Sequence, residues 1–258
     1  MSFMRMEGST SKYYAYDSLD STNEEAKRLA EQGAPHGAVV TADMQTAGKG
    51  RRGRSWVSPP GTNIYFTLIV RPEFAPEKAS MLTLIAAHAL ARGIARETEV
   101  VPGIKWPNDI VIDGKKVCGI LTEMSVEQNA IRHVVIGAGI NVREQSFPAE
   151  LADKAIALDT ACGRCVDRAR LLNAVLEAFR EDYEDFCKTE SLTGIRDSYN
   201  RLLVNRDREV CVLEPGGEYR GISRGITDTG ELIVERQDGS VCRVFAGEVS
   251  VRGIYGYV

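Results

Sequence analysis

The sequence predicts a mixed α/β main domain followed by a small all-β domain. Strand-like and helix-like segments alternate through the first two hundred residues, whereas short strands separated by turn residues dominate after Asn205. The length of 258 residues accommodates one large domain with a small companion. Hydrophobic residues make up 43% of the chain, which is enough to form a sizeable core.

A capping box predicts the first helix. In the segment 22–25 (Thr-Asn-Glu-Glu), Thr22 takes the N-cap position and Glu25 can reach back to the backbone N–H of Thr22. Gly33 is expected to end this helix, because glycine readily adopts the left-handed conformation common at helix C-termini.

Apolar patterns predict the other elements of the main domain. Continuous apolar runs are typical of buried strands, a long run that is apolar on all sides indicates a buried helix, and an Asp-Gly turn between apolar runs indicates a hairpin. The predicted strands are 12–17, 38–44, 63–70, 110–112, 116–124 and 131–140. Three further helices are predicted: the first covers 78–97, the second is capped by Asp167 and runs to about Cys187, and the third ends near Leu203.

The C-terminal region is predicted to form a small β-barrel. Its strands are 208–213, 219–227, 231–235 and 241–245, and turn residues lie between them at 215–217, 228–230 and 238–239. We place the boundary within 203–206, which gives a catalytic domain of 1–204 and a barrel of 205–258.

Composition narrows the functional class. The net charge is −4 and the isoelectric point is about 5.6, which does not favour a protein built to hold DNA. Residues 1–12 are polar, unlike a signal peptide, and no apolar run is long enough for a membrane span. Six scattered cysteines do not form a disulfide scaffold. The sequence therefore predicts a protein of the reducing cytoplasm without a DNA or membrane partner.

A loop rich in glycine and arginine is the clearest functional signal. Residues 48–54 (Gly-Lys-Gly-Arg-Arg-Gly-Arg) place four cations within six positions. Glycine lets a ligand approach the backbone, and arginine offers charge-assisted donors to phosphate, so this loop can fold over an anion and become ordered. A solvated basic loop or a nucleic-acid patch is the alternative. Gln45 before the loop and Trp56 after it favour a small-ligand site, because an indole can stack on a purine.

Three further segments suggest a ligand platform. The corner 105–109 (Lys-Trp-Pro-Asn-Asp) leads into a strand, and Lys116 follows the Asp-Gly turn, although either feature alone could be structural. Gly119 interrupts an apolar strand, and 137–141 (Gly-Ala-Gly-Ile-Asn) repeats this feature on another strand. Glycine within a strand indicates that a ligand or another backbone comes close, so neighbouring glycine-containing strands can expose a flat backbone surface.

Together these segments resemble bacterial biotin–protein ligases. The matching segments, in chain order, are 21–23, 45–54, 105–109, 116–123 and 137–141. The resemblance covers essentially the whole chain, and it implies a catalytic domain related to class II aminoacyl-tRNA synthetases and lipoate ligases, followed by an SH3-like barrel.

The resemblance also implies the site residues. Biotin or its adenylate is expected to contact Ser21, Thr22, Asn23, Gln45, Gly48, Lys49, Arg51, Arg52, Lys116, Gly119, Ile120, Gly137, Ile140 and Asn141. ATP is expected to contact Arg54, Trp56, Asn108, Lys116 and Asn141, with Trp56 stacked near adenine. Lys116 and Arg51 are the expected catalytic residues, and Asp109 is expected to help position Mg²⁺.

The activity implied by the resemblance has two steps. Biotin is activated with ATP to biotinyl-5′-AMP and is then transferred to a specific lysine of the biotin carboxyl carrier protein of acetyl-CoA carboxylase or a related carboxylase. A homodimer is also implied. The alternatives are a lipoate–protein ligase of the same superfamily and a non-catalytic nucleic-acid-binding module.

Two departures from the family pattern affect these expectations. Lys49 stands where many members have arginine, which keeps the charge but removes a bidentate donor. About eleven residues precede the first predicted strand, too few for the helix-turn-helix that makes some members repressors, so no repressor role is expected.

A Cys-x-x-Cys motif at Cys162 and Cys165 is compatible with redox chemistry or half of a zinc site. Without a second pair at suitable spacing, the sequence favours an incidental loop and leaves the role of the two cysteines open.

Overall fold

Two β-sheets organise the chain. The computed structural model describes residues 12–145, 147–214, 217–246 and 250–253, so the predicted polar N-terminus and the turn at 215–216 lie largely outside the described residues. The first sheet contains β1 (Tyr13–Leu19), β2 (Ala38–Gln45), β3 (Ile64–Val70), β4 (Gly103–Lys105), β5 (Asp109–Ile112), β6 (Lys115–Glu127) and β7 (Ala130–Ile140). The second contains β8 (Glu209–Glu214), β9 (Gly217–Ile226), β10 (Leu232–Glu235), β11 (Val241–Val244) and β12 (Ser250–Gly253).

Five α-helices are described, and they lie between the strands of the first sheet and before the second. They are α1 (Thr22–Glu31), α2 (Met81–Thr98), α3 (Leu158–Cys162), α4 (Arg168–Thr189) and α5 (Thr193–Leu202). Short 3₁₀ turns cover Arg51–Gly53 and Pro76–Ser80. Among the described residues, no helix is both long and apolar enough to cross a bilayer.

The seven-stranded sheet has different neighbours on its two faces. Its order is β1-β2-β3-β7-β6-β5-β4, with β1 and β2 parallel and the other pairs antiparallel. Alternate residues of β3 and β7, such as Phe66 and Ile136, join the large core that includes α2 and α4. Their neighbours Ile69 and Val135 pack instead with Ala26 of α1. Because side chains alternate across a strand, the two faces of the sheet have different packing partners: one face packs in the large core, and the other packs against α1.

The second sheet is antiparallel, in the order β11-β10-β9-β8-β12, and it shares a core with the first part of the chain. Val210 and Leu232 are fully buried in the same cluster as the residues of α2. Trp106, in the turn between β4 and β5, donates a hydrogen bond from Nε1 to the carbonyl of Gly230 at 3.2 Å. This packing places the C-terminal sheet beside the turn that leads into β5.

Most predicted elements are confirmed within one or two residues, including the helix capped by Asp167, whose carboxylate accepts from the N–H groups of Ala169 and Arg170. The capping box at Thr22 is wrong. Helix α1 begins at Thr22 with Ser21 in the N-cap position and without a side-chain cap, because the Thr22 hydroxyl instead donates to Gln45. The sequence analysis also missed β4, α3 and β12.

Candidate active site

The floor of the site is built from glycines on β6 and β7. Gly119 lies directly opposite Gly139, and Gly137 lies opposite Leu121. All of these positions are on the face turned towards α1. A methyl group at Gly137 would lie 1.9 Å from Oδ1 of Asn23, and one at Gly139 would lie 2.4 Å from Nε1 of Trp56. Only glycine therefore leaves room for side chains, or a ligand, directly on the backbone of these strands.

One wall is the N-terminus of α1, which holds three buried polar residues, Ser21, Thr22 and Asn23. Gln45 at the end of β2 accepts hydrogen bonds from the backbone N–H of Thr22 at 2.8 Å and from its hydroxyl at 3.1 Å. Thr67 on β3 lies beneath them: its hydroxyl oxygen is 2.7 Å from Oδ1 of Asn23, to which it donates, and 2.9 Å from the Thr22 hydroxyl. These bonds fix the orientation of the wall, and the helix N-terminus gives it a partial positive charge.

The opposite wall is the Gly-Arg loop. Arg51 donates to Oδ1 of Asn108 at 2.7 Å and to the carbonyl of Ala246, which follows β11, at 3.1 Å. Burial is the main reason that the pKa of Arg51 is lowered, and the positive charges of Arg52 and Arg54 add to the shift. Because arginine stays protonated in proteins, the result is a partly desolvated cation that favours an incoming anion.

Lys49 of the same loop is tied to α1 by an ion pair with Glu24. Glu24 also pairs with Lys27 at 2.7 Å, and these two lysines lower the pKa of the Glu24 carboxyl. Lys27 in turn lies 3.0 Å from Glu123 on β6. The loop is thus held over the glycine floor by a chain of charges across α1.

Lys116 stands at the start of β6, above the floor. Its Nζ lies 2.7 Å from Oδ1 of Asp109 and 5.2 Å from the ring centroid of Trp56, a distance compatible with a cation–π contact. Nδ2 of Asn108 donates to the same carboxylate oxygen of Asp109 at 3.1 Å. The corner 105–109 therefore orients both the lysine and, through Asn108, the loop arginine.

These elements enclose a narrow pocket of about 50 Å³. Its lining consists of Ser21, Thr22, Asn23, Gln45, Lys49, Gly50, Arg51, Trp56, Asn108, Lys116, Gly119, Ile120, Leu121, Gly137, Ala138 and Gly139. A wider groove of about 880 Å³ shares Arg51, Ile120 and Leu121 with it and runs between β6, the segment 76–83 and the C-terminal sheet. The groove is within the roughly 300–1,000 Å³ that ligand sites typically have, whereas the pocket beneath the loop is smaller.

The structure brings most of the predicted site residues together. Among the exceptions, Arg54 is exposed and Arg52 lines the wider groove. Gly48 lies behind the pocket, where its carbonyl accepts from the N–H of Trp56 at 2.8 Å. The Trp56 indole, expected near adenine, lies over Gly119 and Gly139.

Ile140 and Asn141 also do not line the pocket. Ile140 is fully buried in the core, because alternation on β7 turns it away from the face that exposes Gly139. Asn141 is buried, and its backbone pairs with Val117 and Leu158.

Sequence reasoning left four lining residues out of the site: Gly50, Leu121, Ala138 and Gly139. Gly139 could have been found from strand alternation, since it lies two residues beyond Gly137. Leu121 follows in the same way from Gly119.

The described residues suit a metal ion that is bound mainly through substrate phosphates and water, with few protein side chains. They include no group of three or more His, Cys, Asp or Glu side chains that could hold an ion. Asp109 is a single carboxylate that shares its Oδ1 with Lys116 and Asn108. Mg²⁺ usually keeps several waters and binds through one or two carboxylates and substrate phosphates, so Asp109 is compatible with that mode and insufficient for a resident metal.

Comparisons with known proteins identify relatives of this chain. Residues 15–141 match the Biotin/lipoate A/B protein ligase family, and residues 207–252 match the Biotin protein ligase C terminal domain. The chain is 38% identical to the bifunctional ligase/repressor BirA of Bacillus subtilis, over 92% of this chain and 73% of that protein. It is 34% identical to the biotin–[acetyl-CoA-carboxylase] ligase of Paracoccus denitrificans, over 85% of this chain and 92% of the relative.

A solved structure shows the same architecture. The biotin protein ligase from Aquifex aeolicus in complex with biotin and ATP has a TM-score of 0.81 and 28% identity, over 94% of this chain and 99% of that one. Identities above 30% across most of both chains, together with this shared fold, show that the chain belongs to the biotin protein ligase family.

Proposed function

We propose that this protein activates biotin with ATP to biotinyl-5′-AMP and transfers the biotinyl group to a lysine of a biotin carboxyl carrier protein. The observation that carries the proposal is the convergence of Lys49, Arg51 and Lys116 on a glycine-floored pocket whose other wall is uncharged and polar. Hydrogen-bonding groups suit the ring system of biotin, and the cations suit its carboxylate and the phosphates of ATP.

In the first step a carboxylate oxygen of biotin attacks the α-phosphorus of ATP, and pyrophosphate leaves. Two anions must approach each other, so positioned cations lower the barrier. Two contacts support this role for Lys116: Asp109 and the face of Trp56 hold its ammonium group above the glycine floor. Arg51, held by Asn108, is placed to stabilise charge that develops on the phosphoryl oxygens.

Asp109 is the protein carboxylate that would hold Mg²⁺ together with the ATP phosphates, and the ion would supply neutralisation of phosphate charge. The protein residues hold the reacting groups in line and exclude water, because the mixed anhydride would otherwise hydrolyse. The loop 48–54 provides this cover, since it lies across the pocket with anchors at Glu24, Asn108 and Ala246.

In the second step the carrier lysine amine attacks the acyl carbon, and AMP leaves. No side chain of the enzyme acts as a nucleophile, because the adenylate is already activated. What the site contributes is retention of the adenylate until the carrier lysine arrives, together with the cations that stabilise the departing phosphate.

Two assays test the proposal. Biotin is expected to stimulate ATP–pyrophosphate exchange, and a carrier domain incubated with enzyme, ATP, Mg²⁺ and biotin is expected to gain the mass of one biotinyl group. Exchange that depends on lipoate and not on biotin would instead identify a lipoate ligase. The family that matches residues 15–141 includes both ligases, but the match of residues 207–252 to a biotin protein ligase domain favours biotin.

A nucleic-acid-binding module is less well supported, because Lys49, Arg51 and Lys116 line the pocket rather than a flat surface. We further propose that the protein acts in the cytoplasm as a homodimer, with the chain divided functionally at residues 204 and 205. Sedimentation velocity with and without biotin and ATP tests the dimer, and a mass that stays monomeric at micromolar concentration would exclude it.

A further inference from the structure

The Cys-x-x-Cys motif lies at the end of α3, outside the proposed active site. Cys162 is the last residue of α3, and Gly163 turns the chain with φ of 65°. Four-residue turns bring their first and last Cα atoms within about 7 Å, which overlaps the range that a disulfide spans. The Cys-x-x-Cys spacing is the one at which reactive dithiol–disulfide pairs occur, and here a turn at Gly163 separates the two residues.

Cys165 is exposed and lies beside an ion pair. Nη1 of Arg143 donates to its Sγ at 2.7 Å, and the Arg143 guanidinium lies 3.2 Å from Oδ2 of Asp159. The same Asp159 oxygen accepts from the Cys165 thiol at 3.8 Å, and Oδ1 of Asp159 accepts from the N–H of Val166 at 2.8 Å. The thiol is therefore accessible, with a fixed cation to stabilise the thiolate and a carboxylate that can accept its proton.

Two of the other four cysteines offer a contrast. Burial raises the pKa of the Cys118 thiol, which lies inside the core. The pKa of Cys187 is also raised, by desolvation and by the nearby carboxylates of Glu190 and Glu184. Thiolate formation, which nucleophilic reactions require, is disfavoured at both positions.

We propose that Cys162 and Cys165 are a dithiol–disulfide pair that reacts with low-molecular-weight disulfides. The Cys165 thiolate attacks one sulfur of the small disulfide, which forms a mixed disulfide and releases one thiolate. The Cys162 thiolate then attacks the Cys165 sulfur, which closes the intramolecular disulfide and releases the second thiolate. The protein loses two electrons and two protons, and the small disulfide is reduced to two thiols.

The test uses the full chain equilibrated in glutathione buffers of increasing oxidised fraction, then acid-quenched, alkylated and mapped by mass spectrometry. The expected product is a peptide that contains Cys162 and Cys165, has lost two hydrogen atoms and resists alkylation. Cys162→Ser should instead accumulate a glutathione adduct on Cys165, because the resolving thiol is absent. Cys187→Ser is the control and should oxidise like the parent.

The role of the cation is tested with a matched pair of arginines. Arg143→Gln should slow the oxidation of Cys165 by roughly threefold or more, because the donor to the sulfur is lost. Arg164→Gln is the control, since this arginine lies in the same turn but donates to the carbonyl of Glu97 at 2.7 Å. Equal melting temperatures verify that both variants are folded. Adducts that form on Cys187 as readily as on Cys165, or absence of the Cys162–Cys165 disulfide, would overturn the proposal.

Discussion

Gly137→Ala is expected to destabilise the protein by displacing Asn23. Gly137 does not have a positive φ, so alanine is compatible with its backbone and the cost comes from contact alone. The new methyl carbon would lie 1.9 Å from Oδ1 and 2.8 Å from Cγ of Asn23. Both distances are far inside van der Waals contact, and the neighbour is a short side chain at a helix N-terminus that has little freedom to move.

The magnitude follows from what Asn23 must give up. Its Oδ1 accepts from Thr67 at 2.7 Å, and its Nδ2 donates to the carbonyl of Leu121 at 3.2 Å and to Glu123 at 2.8 Å. Hydrogen bonds of this kind contribute about 0.5–1.5 kcal/mol each, and overpacking costs about 1–3 kcal/mol. Reduced entropy of the unfolded chain offsets about 0.4–1 kcal/mol, so the contributions together span about 1.5–7 kcal/mol. Because displacement of Asn23 relieves part of the overpacking, we expect a net loss in the lower half of this range, about 2–4 kcal/mol.

A double-mutant cycle measured by urea denaturation tests this origin. Asn23→Ala alone should cost about 1–3 kcal/mol, and adding Gly137→Ala should then cost less than about 1 kcal/mol, because the obstructing side chain is gone. Gly50→Ala is the control, since its methyl would meet nothing closer than 3.4 Å. If the losses from Gly137→Ala and Asn23→Ala simply add, the steric explanation is refuted.

Three further predictions concern the cations. Lys116→Ala should slow ATP–pyrophosphate exchange at least about tenfold while Lys115→Ala leaves it unchanged, because a charge contact to a transition state contributes about 2–4 kcal/mol; equal rates would remove Lys116 from the mechanism. Arg51→Gly should still form some adenylate but release it, seen as biotin on serum albumin in a streptavidin blot; no excess labelling over the parent would contradict retention. Glu24→Gln should loosen Lys49 and speed amide exchange across 48–54 in the free enzyme, and an unchanged rate would show that the ion pair does not anchor the loop.

The alternation of side chains along β7 explains which residues of the segment 137–141 lie at the site and which do not. The site residues predicted from the segment 137–141 are Gly137, Ile140 and Asn141, yet a strand turns successive residues to opposite faces. Gly137 and Gly139 therefore face α1, while Ile140 packs in the core. Consecutive residues of a motif on a strand therefore cannot all line the same site. The same alternation predicts Gly139 as a site residue from the sequence alone.

Long-range partners explain the wrong capping box. A Thr-x-x-Glu pattern is a local signal, but Thr22 bonds to Gln45 and Thr67, which lie 23 and 45 residues away. Glu25 accepts from the hydroxyl of Tyr16 at 2.8 Å instead of reaching back to Thr22. Both side chains are recruited by tertiary contacts that single-sequence reasoning does not detect, and the helix begins at nearly the predicted place through the apolar contacts of Ala26 and Ala30.

The Gly-Arg loop shows how the ligand-free site can remain folded and still favour an anion. Its cations repel one another, which from sequence alone argued that the loop needs a ligand to become ordered. The structure provides partners: Lys49 has the carboxylate of Glu24, and Arg51 donates to the oxygens of Asn108 and Ala246 and is attracted by the nearby carboxylate of Asp109. Burial makes the Arg51 charge costly, and the attraction of Asp109 offsets only part of this cost, since the pKa of Arg51 stays lowered. We therefore expect an arriving carboxylate or phosphate to reduce the cost further, while the Lys49–Glu24 ion pair keeps the loop near the pocket.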